Sequence, residues 1–274
     1  MIETIYIARH GYRLNWVTNN WTSATGLPRD PPLAAFGESQ AQELADHFVS
    51  LPPEHRPTAI FSSPYYRCLQ TAKPTSIALG VPIYVEHGLS EWYSPVAPGT
   101  GLHPRPSPAS TLRTYFPEID ESWSTIWYPS RKGEDVVEVH DRVAGYLDAS
   151  IPEIERRYGG KHQRVLLVSH AATVIALARE LIGDRSLPLR VGCCSLTEMK
   201  RKEGPKKVLG HWHPKTLADG SHLKDGSTRD WGFEDIEIAD GKVVEDPGMP
   251  GTEHEKDEPV GSQLVESGIA VSRM

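Results

Sequence analysis

Short apolar runs that alternate with stretches of helical period constrain this chain more than any other feature. Ile5–Ala8, Thr58–Ser62, Pro82–Glu86 and Arg164–Ser169 are β-rich and too short to be helices. Between them lie patterns at helical spacing over 36–51, 64–79, 135–157 and 171–182. In the first of these, Ala41, Leu44, Ala45 and Phe48 share one face; in the third, Val136, Val139, Val143 and Leu147 do so. Strands that alternate with helices must be joined by crossovers. This predicts an α/β fold with a three-layer, mostly parallel sheet and helices on both faces. Further strands are expected over 192–199, 208–213 and 234–238.

Residues 93–131 break the rhythm with Pro, Ser, Trp and Tyr, and are read as an insertion or lid within a domain spanning 1–240. After Phe233 there is no aromatic residue, and 246–267 is acidic with Gly, Pro and Ser. Such a stretch buries too little apolar area to offset its ordering entropy, so 241–274 is expected to be a flexible acidic tail. With 23 Gly and 23 Pro in 274 residues, long loops are expected elsewhere too.

The formal charge of −7 argues against nonspecific nucleic-acid or membrane-surface binding, which both favour a basic face. Three cysteines, two of them adjacent (Cys193 and Cys194), do not make a secreted disulfide framework. The N-terminus carries no signal-peptide pattern and no run reaches ~18 apolar residues. Cytosol or nucleus is the expected compartment.

Three strand ends share one design: an apolar run stops abruptly at residues suited to phosphate. Ligands bind at that edge of an open α/β sheet. The first end is Arg9-His10-Gly11, where a guanidinium can fork onto phosphate oxygens and a neutral imidazole nitrogen can attack phosphorus. The second is Ser62-Ser63-Pro64-Tyr65-Tyr66-Arg67. Here Ser63 suits an N-cap and Pro64 the first helical position, which sets Arg67 in a first turn that already favours an anion. The third is Ser169-His170-Ala171-Ala172, a histidine flanked by residues small enough for close approach. Each alone has an ordinary structural explanation. Two histidines and two arginines at three like-placed ends are specific.

Together these segments resemble the histidine phosphatase superfamily, the phosphoglycerate mutase-like group. The family's strand-Arg-His-Gly opening matches Ile5 to Gly11. Its Pro-Leu, Gly and Gln-Ala positions match Pro32-Leu33, Gly37 and Gln40-Ala41. Its Ser-Ser-Pro-x-x-Arg-x-x-Gln-Thr-Ala helix start matches Ser62 to Ala72, and its second histidine matches His170. The resemblance runs in order over about 4–200 and implies a phosphoglycerate mutase-like fold. It also implies that His10 is the nucleophile and that Arg9, Arg67 and His170 surround the phosphate. Glu91 falls where the family keeps its proton donor, with Trp92 and Tyr93 expected to desolvate it and raise its pKa.

Within the family, Arg9-His10-Gly11-x-Arg13-x-Asn15 is similar to the opening of the suppressor of T-cell receptor signalling phosphatases, with Tyr12 for Glu and Asn15 for Asp. The longer run through Asn15-Trp16 is nearer to the phosphatase-like domain of the fungal transcription factor IIIC tau subunit. Tyr66-Arg67-Cys68-Leu69, Glu91-Trp92-Tyr93 and Cys194-Ser195-Leu196 support that match. A short acidic tail in place of a long further region makes a stand-alone relative the expectation.

The resemblance implies a metal-independent phosphomonoesterase without cofactor, acting on a phosphorylated small molecule or phosphopeptide such as phosphotyrosine. The alternative is a phosphatase-like subunit with a transcription-complex partner. A phosphoglycerate mutase ranks last, because Trp92 stands where those enzymes place an Arg. Arg13 and Asn15 are candidates to extend the phosphate pocket, and Trp16, Trp21, Trp92 and Tyr93 to wall it. Cys193, Cys194, His211 and His213 match no common zinc spacing. The basic run 200–207 reads as a solvated hairpin.

Overall fold

The computed structural model describes residues 1–204, 207–239 and 242–264. In chain order the elements are β1 (Thr4–Arg9), α1 (Ala35–Ser50), β2 (Ala59–Ser62), α2 (Tyr66–Leu79), β3 (Ile83–Val85), α3 (Ala109–Leu112), β4 (Trp127–Tyr128), α4 (Val136–Tyr158), β5 (Arg164–Ser169), α5 (Ala171–Ile182), β6 (Leu196–Arg201) and β7 (Trp212–Asp219). The main sheet has the order β3-β2-β5-β1-β6-β7. Its first four strands are parallel, and β6 and β7 close one edge antiparallel. Among the described residues no helix is long and apolar enough to cross a membrane.

Side-chain alternation along the central strands makes the three layers. Ile5 and Ile7 of β1, with Val165 and Leu167 of β5, join one apolar cluster with Val143, Leu147 and Ile151 of α4 and Val174 and Leu177 of α5. Their neighbours Tyr6, Ala8, Leu166 and Val168 join the other, with Leu44 and Phe48 of α1 and Leu69 and Ala72 of α2. Every residue of β1 is buried, as a strand covered on both faces must be. Each buried Leu, Ile or Phe in these layers contributes ~1.5–3 kcal/mol.

The helix expected from Pro64 starts later, at Tyr66. Its first N–H is accepted by Asp30, from a distant loop, at 2.8 Å, so Ser63 is not the cap. The strand expected over 192–199 is shifted to 196–201 and that over 208–213 to 212–219. The last, expected over 234–238, is a 3₁₀ turn at Phe233–Asp235 followed by a two-residue strand. The basic run 200–207, expected as a solvated hairpin, begins inside β6, whose last two residues are Lys200 and Arg201. Lys200 and Arg201 bond Thr4 Oγ1 and the Ile2 carbonyl, and residues 205–206 lie outside the described part.

The 93–131 segment is packed in. Leu112, Phe116, Ile119, Trp123 and Ile126 are buried in the two clusters. Glu86, fully buried just after β3, anchors it. One carboxylate oxygen accepts from Gly88 N and Trp127 N at 3.0 and 3.2 Å, the other from Trp123 Nε1 and Ile126 N, both at 2.9 Å.

The flexible tail expected from 241 is corrected over 242–264, which forms a strap across this segment. Gly261–Ser262 pairs antiparallel with β4, and Asp246 and Met249 make bridges to Val96 and Leu102. Asp257 accepts from Ser130 Oγ and Arg131 N at 2.6 and 2.8 Å, and Glu255 pairs with Arg131. The acidic side chains of this stretch are matched to arginines far off in sequence, which supply stabilisation that its missing apolar area does not. Residues 241 and 265–274 of that expected tail lie outside the described part.

Candidate active site

Four neighbouring strand ends converge on one place. Backbone bonds continue the sheet just past β1, β2 and β3: His10 N donates to Ser169 O, Ser63 N to Val168 O and Glu86 N to Ser62 O, each at 2.9 Å. Residues after the last paired position are therefore held in register as firmly as the strands. Gly11 allows the turn to press on the start of α1, since a Cβ there would stand 2.7 Å from the Gly37 carbonyl.

Arg67, 1% exposed, is the hub of the site. One terminal nitrogen donates to Asp30 Oδ1 at 2.9 Å; the other donates to Glu91 Oε2 at 2.9 Å and His170 Nδ1 at 3.1 Å. His170 Nε2 meets Ser63 Oγ at 2.8 Å. His10 and His170 stand edge to face with ring centroids 5.4 Å apart. Arg9 donates to the carbonyls of Val191 and Arg229 at 2.8 and 2.5 Å.

The tautomer of His10 follows from its partner. Nδ1 lies 2.8 Å from the Gly11 carbonyl, which can only accept. The proton of the neutral ring therefore sits on Nδ1, and the lone pair is on Nε2. Burial, reinforced by Arg67, His170, Arg9 and Arg13, holds the His10 pKa well below its ordinary 6.5, so the ring is neutral at physiological pH. Burial likewise brings His170 down to about 4, against the pull of Glu91.

Glu91 reverses the expectation of a raised pKa. Burial alone would lift it, but His170, Arg67 and Arg13 outweigh burial and hold the carboxyl well below 4.5. Trp92 does not shield it from those cations. The Trp92 indole instead donates to the Glu134 carbonyl at 2.8 Å and packs near Trp231 and Phe233.

A cavity of about 170 Å³ opens at this point, lined by Arg9, His10, Arg13, Glu91, Trp92, Ala171, Ala172 and Trp231. Ala171 and Ala172 open α5, and their size leaves its first N–H groups approachable. Ligand-type atoms of His10, Glu91 and His170 lie within 4.8 Å of one another. The guanidiniums of Arg9, Arg13 and Arg67 oppose a dication there, so the charge suits an anion. Cys193 and Cys194 are buried, and among the described residues they form no metal-ligating group with His211 and His213.

The sequence-derived set is thus largely brought together: Arg9, His10, Arg67, Glu91 and His170 form the contacts above, and Arg13 lines the cavity. Asn15 does not line it. Trp16 approaches His10 at 6.3 Å between centroids and Trp92 is a wall. Trp21 is not a lining residue, and Tyr93 turns away to bond Tyr65 and stack on His103. Sequence reasoning missed Asp30, which holds Arg67, and Trp231, which lines the cavity. It also misassigned Ser63, which holds His170. Asp30 and Trp231 reach the site from loops with no periodic pattern. Only the Ser62-Ser63 pair at a strand end was a usable signal.

The family model described as histidine phosphatase superfamily (branch 1) matches residues 5–212. The chain is 38% identical over 208 residues to the transcription factor tau 55 kDa subunit of Saccharomyces cerevisiae, across 72% of this chain and 47% of that protein. It therefore spans about half the length of that relative. It is 28% identical over 236 residues to the probable phosphoglycerate mutase GpmB of Proteus mirabilis, across 81% of this chain and 95% of that one.

Among solved structures, the ecdysone phosphate phosphatase of Bombix mori in complex with tungstate has a TM-score of 0.58 at 18% identity, over 79% of this chain and 93% of that one. A mycobacterial glucosyl-3-phosphoglycerate phosphatase with VO3 has a TM-score of 0.51 at 18% identity, over 78% and 98%. These two likenesses are likenesses of fold. With the family model covering most of the chain and the strand ends arranged as described, this chain belongs to the histidine phosphatase superfamily.

Proposed function

We propose that the chain is a metal-independent phosphomonoester hydrolase that works through a phosphohistidine. The observation that carries this reading is the His10 ring, neutral, with Nδ1 tied to Gly11 and Nε2 available beside an arginine-rich cavity. In the first step the Nε2 lone pair attacks phosphorus and the ester P–O bond breaks. The leaving oxygen takes its proton from Glu91. Arg9, Arg67, His170 and the start of α5 hold the phosphoryl oxygens as charge develops. In the second step Glu91 accepts a proton from water, whose oxygen attacks phosphorus as the P–N bond breaks, freeing His10 and inorganic phosphate.

Glu91 must carry a proton to begin, yet its carboxylate is paired with Arg67. A phosphoryl group that engages Arg67 takes over that cation and adds negative charge beside the carboxyl, and both effects raise the Glu91 pKa. The sign for the free protein is definite. The acid form grows as pH falls towards and below 4.5, while His10 stays neutral down to well below 6.5. We expect kcat/KM for an aryl phosphate, measured with EDTA across pH 4–8, to rise towards acid pH. Glu91→Gln lowers it by ~10²–10⁴ and flattens the alkaline limb. A profile rising towards alkaline pH contradicts this assignment. The aromatic walls Trp92 and Trp231, with Trp16 near His10, favour an aryl ester, phosphotyrosine among them.

A second reading rests on the similarity to the yeast tau subunit: a phosphatase-like subunit in a transcription factor IIIC-type assembly, with nuclear residence. Affinity purification that recovers polymerase III factors supports it, and a preparation free of them argues for the enzyme alone. A mutase role is disfavoured by Trp92, an apolar wall of the cavity at the position after Glu91 where those enzymes place an Arg.

A further inference from the structure

The proposed phosphoryl site uses Arg9 and Arg67; a further guanidinium, Arg13, lines its cavity, and a fourth, Arg229, shares the Trp16 ring with Arg13. Arg13 lies over the Trp16 ring at 4.2 Å from its centroid, and Arg229 over the same ring at 5.2 Å and over Tyr12 at 5.6 Å. Among the described residues neither makes an ion pair with a carboxylate, and Arg13 Nε is buried without a partner. Arg229 is exposed and sits at φ 57°, in the left-handed region that side chains rarely adopt.

The angle of 57° at Arg229 is held by the two contacts around it. Arg9 bonds the Arg229 carbonyl, and Cys193 N bonds the Thr228 carbonyl at 2.8 Å. Trp231, two residues on, is bridged to Val191 and lines the cavity. The same short loop thus braces a phosphate-site arginine, supplies a wall and sets a cation on the Trp16 ring, with one nitrogen donating to the Tyr12 hydroxyl at 3.3 Å. It lies beyond residues 5–212, the part of the chain that the family model matches.

Charge at the mouth is unbalanced. Among the described residues, the ion pairs made by Arg9, Arg13, Arg67 and Arg229 are those of Arg67 with Asp30 and Glu91. With a phosphoryl dianion bound and Glu91 protonated, one positive charge is left over, at the Arg13–Trp16–Arg229 end. Burial, together with Arg67 and Arg9, already drives the Arg13 pKa down to about 10, as expected of a cation among cations.

Resting on the phosphomonoesterase reading, we propose that Arg13 and Arg229, stacked on Trp16, form a subsite for a second anionic group carried by the substrate's leaving group. The substrate class is then a flat, aromatic phosphomonoester that bears its own carboxylate or second phosphate.

The test compares phenylphosphonate with 3- and 4-carboxyphenylphosphonate by titration calorimetry, which needs no turnover. Wild type should bind at least one carboxylated probe ~10-fold or more tightly than the parent, the scale of one charge-assisted hydrogen bond. In Arg229→Met, checked for folding by circular dichroism, that preference should fall to within ~3-fold. Arg229→Lys, which keeps the charge and loses the fork, should retain part of it. Equal binding of all three probes by wild type, or a preference that survives Arg229→Met, overturns the subsite. Hydrolysis of phenyl phosphate and its carboxylated analogues is followed in parallel. Selective binding without any turnover removes the phosphatase reading and leaves the subsite standing; turnover without selectivity does the reverse.

Discussion

Two regions of the molecule are built by different means. In one, the ends of β1, β2 and β5 hold Arg9, His10, Ser63 and His170 through sheet bonds that run past the strands and through buried side-chain contacts. In the other, the 93–131 segment and the 242–264 strap are joined by arginine–carboxylate pairs nearer to solvent, Arg131–Glu255 and Arg105–Asp257, as well as by backbone pairing. Similar chemistry has different consequences in the two places. In the strand-end half, Arg67 and Asp30 are each 1% exposed, so neither charge can be re-solvated if its partner is lost. In the strap half, water and salt can substitute for either partner. Burial turns an ion pair into a positional constraint; exposure leaves it a modest adhesive.

The contrast can be broken most severely at its buried end. Arg67→Met leaves Asp30 buried without its cation, and should cost ~3–5 kcal/mol of unfolding free energy in a urea titration. Aryl phosphate turnover should fall with it. A variant as stable as wild type would show that Asp30 takes up a proton at little cost and that the pair constrains nothing.

Glu86 tests the junction between the two halves. Each of its oxygens accepts two N–H groups, so Glu86→Gln turns a donor towards donors and should cost ~2–4 kcal/mol. Its pH signature has a defined sign. Burial raises the folded-state pKa from 4.5 to about 7, despite the four N–H donors. The corresponding stability is present in full below about 4.5 and is lost as pH rises through about 7. Thermal unfolding of wild type should carry that slope between these limits, and Glu86→Gln should lack it. Parallel curves for the two proteins would refute the assignment.

The smallest effect belongs to the strap. Asp257→Asn weakens the contacts to Ser130 and Arg105, at ~1 kcal/mol or less, and the difference from wild type should shrink further in high salt. A larger loss that salt does not touch would mean that the strap is as constrained as the strand ends.

The same division explains what was legible in the sequence. β1 and β5 read correctly because buried parallel strands announce themselves as apolar runs, and His10 and His170 follow those runs directly. Arg67 was visible because a strand end and a helix start lie next to it in sequence. The Asp30 cap on α2 was not, since its partner is 36 residues away in a loop without period. The strap was hidden for a related reason. Composition reports how much apolar area a segment can bury, and is silent about which distant arginines its carboxylates will meet. Glu91 does stand against Arg67 and His170, but its ionisation is the reverse of the one expected. Local neighbours Trp92 and Tyr93 suggested desolvation, whereas Arg67, Arg13 and His170, brought in from elsewhere, set the balance.

The central claim is that His10 Nε2 carries the phosphoryl group. The most direct measurement is rapid quench of Glu91→Gln with an aryl phosphate labelled at phosphorus, followed by peptide mapping under alkaline conditions that preserve phosphohistidine. The expected result is stoichiometric label on His10, bonded through Nε2, slow to clear because the base for water is gone, and absent from His10→Ala. Hydrolysis by the wild-type protein with no label at His10, or hydrolysis undiminished in His10→Ala, would contradict the account.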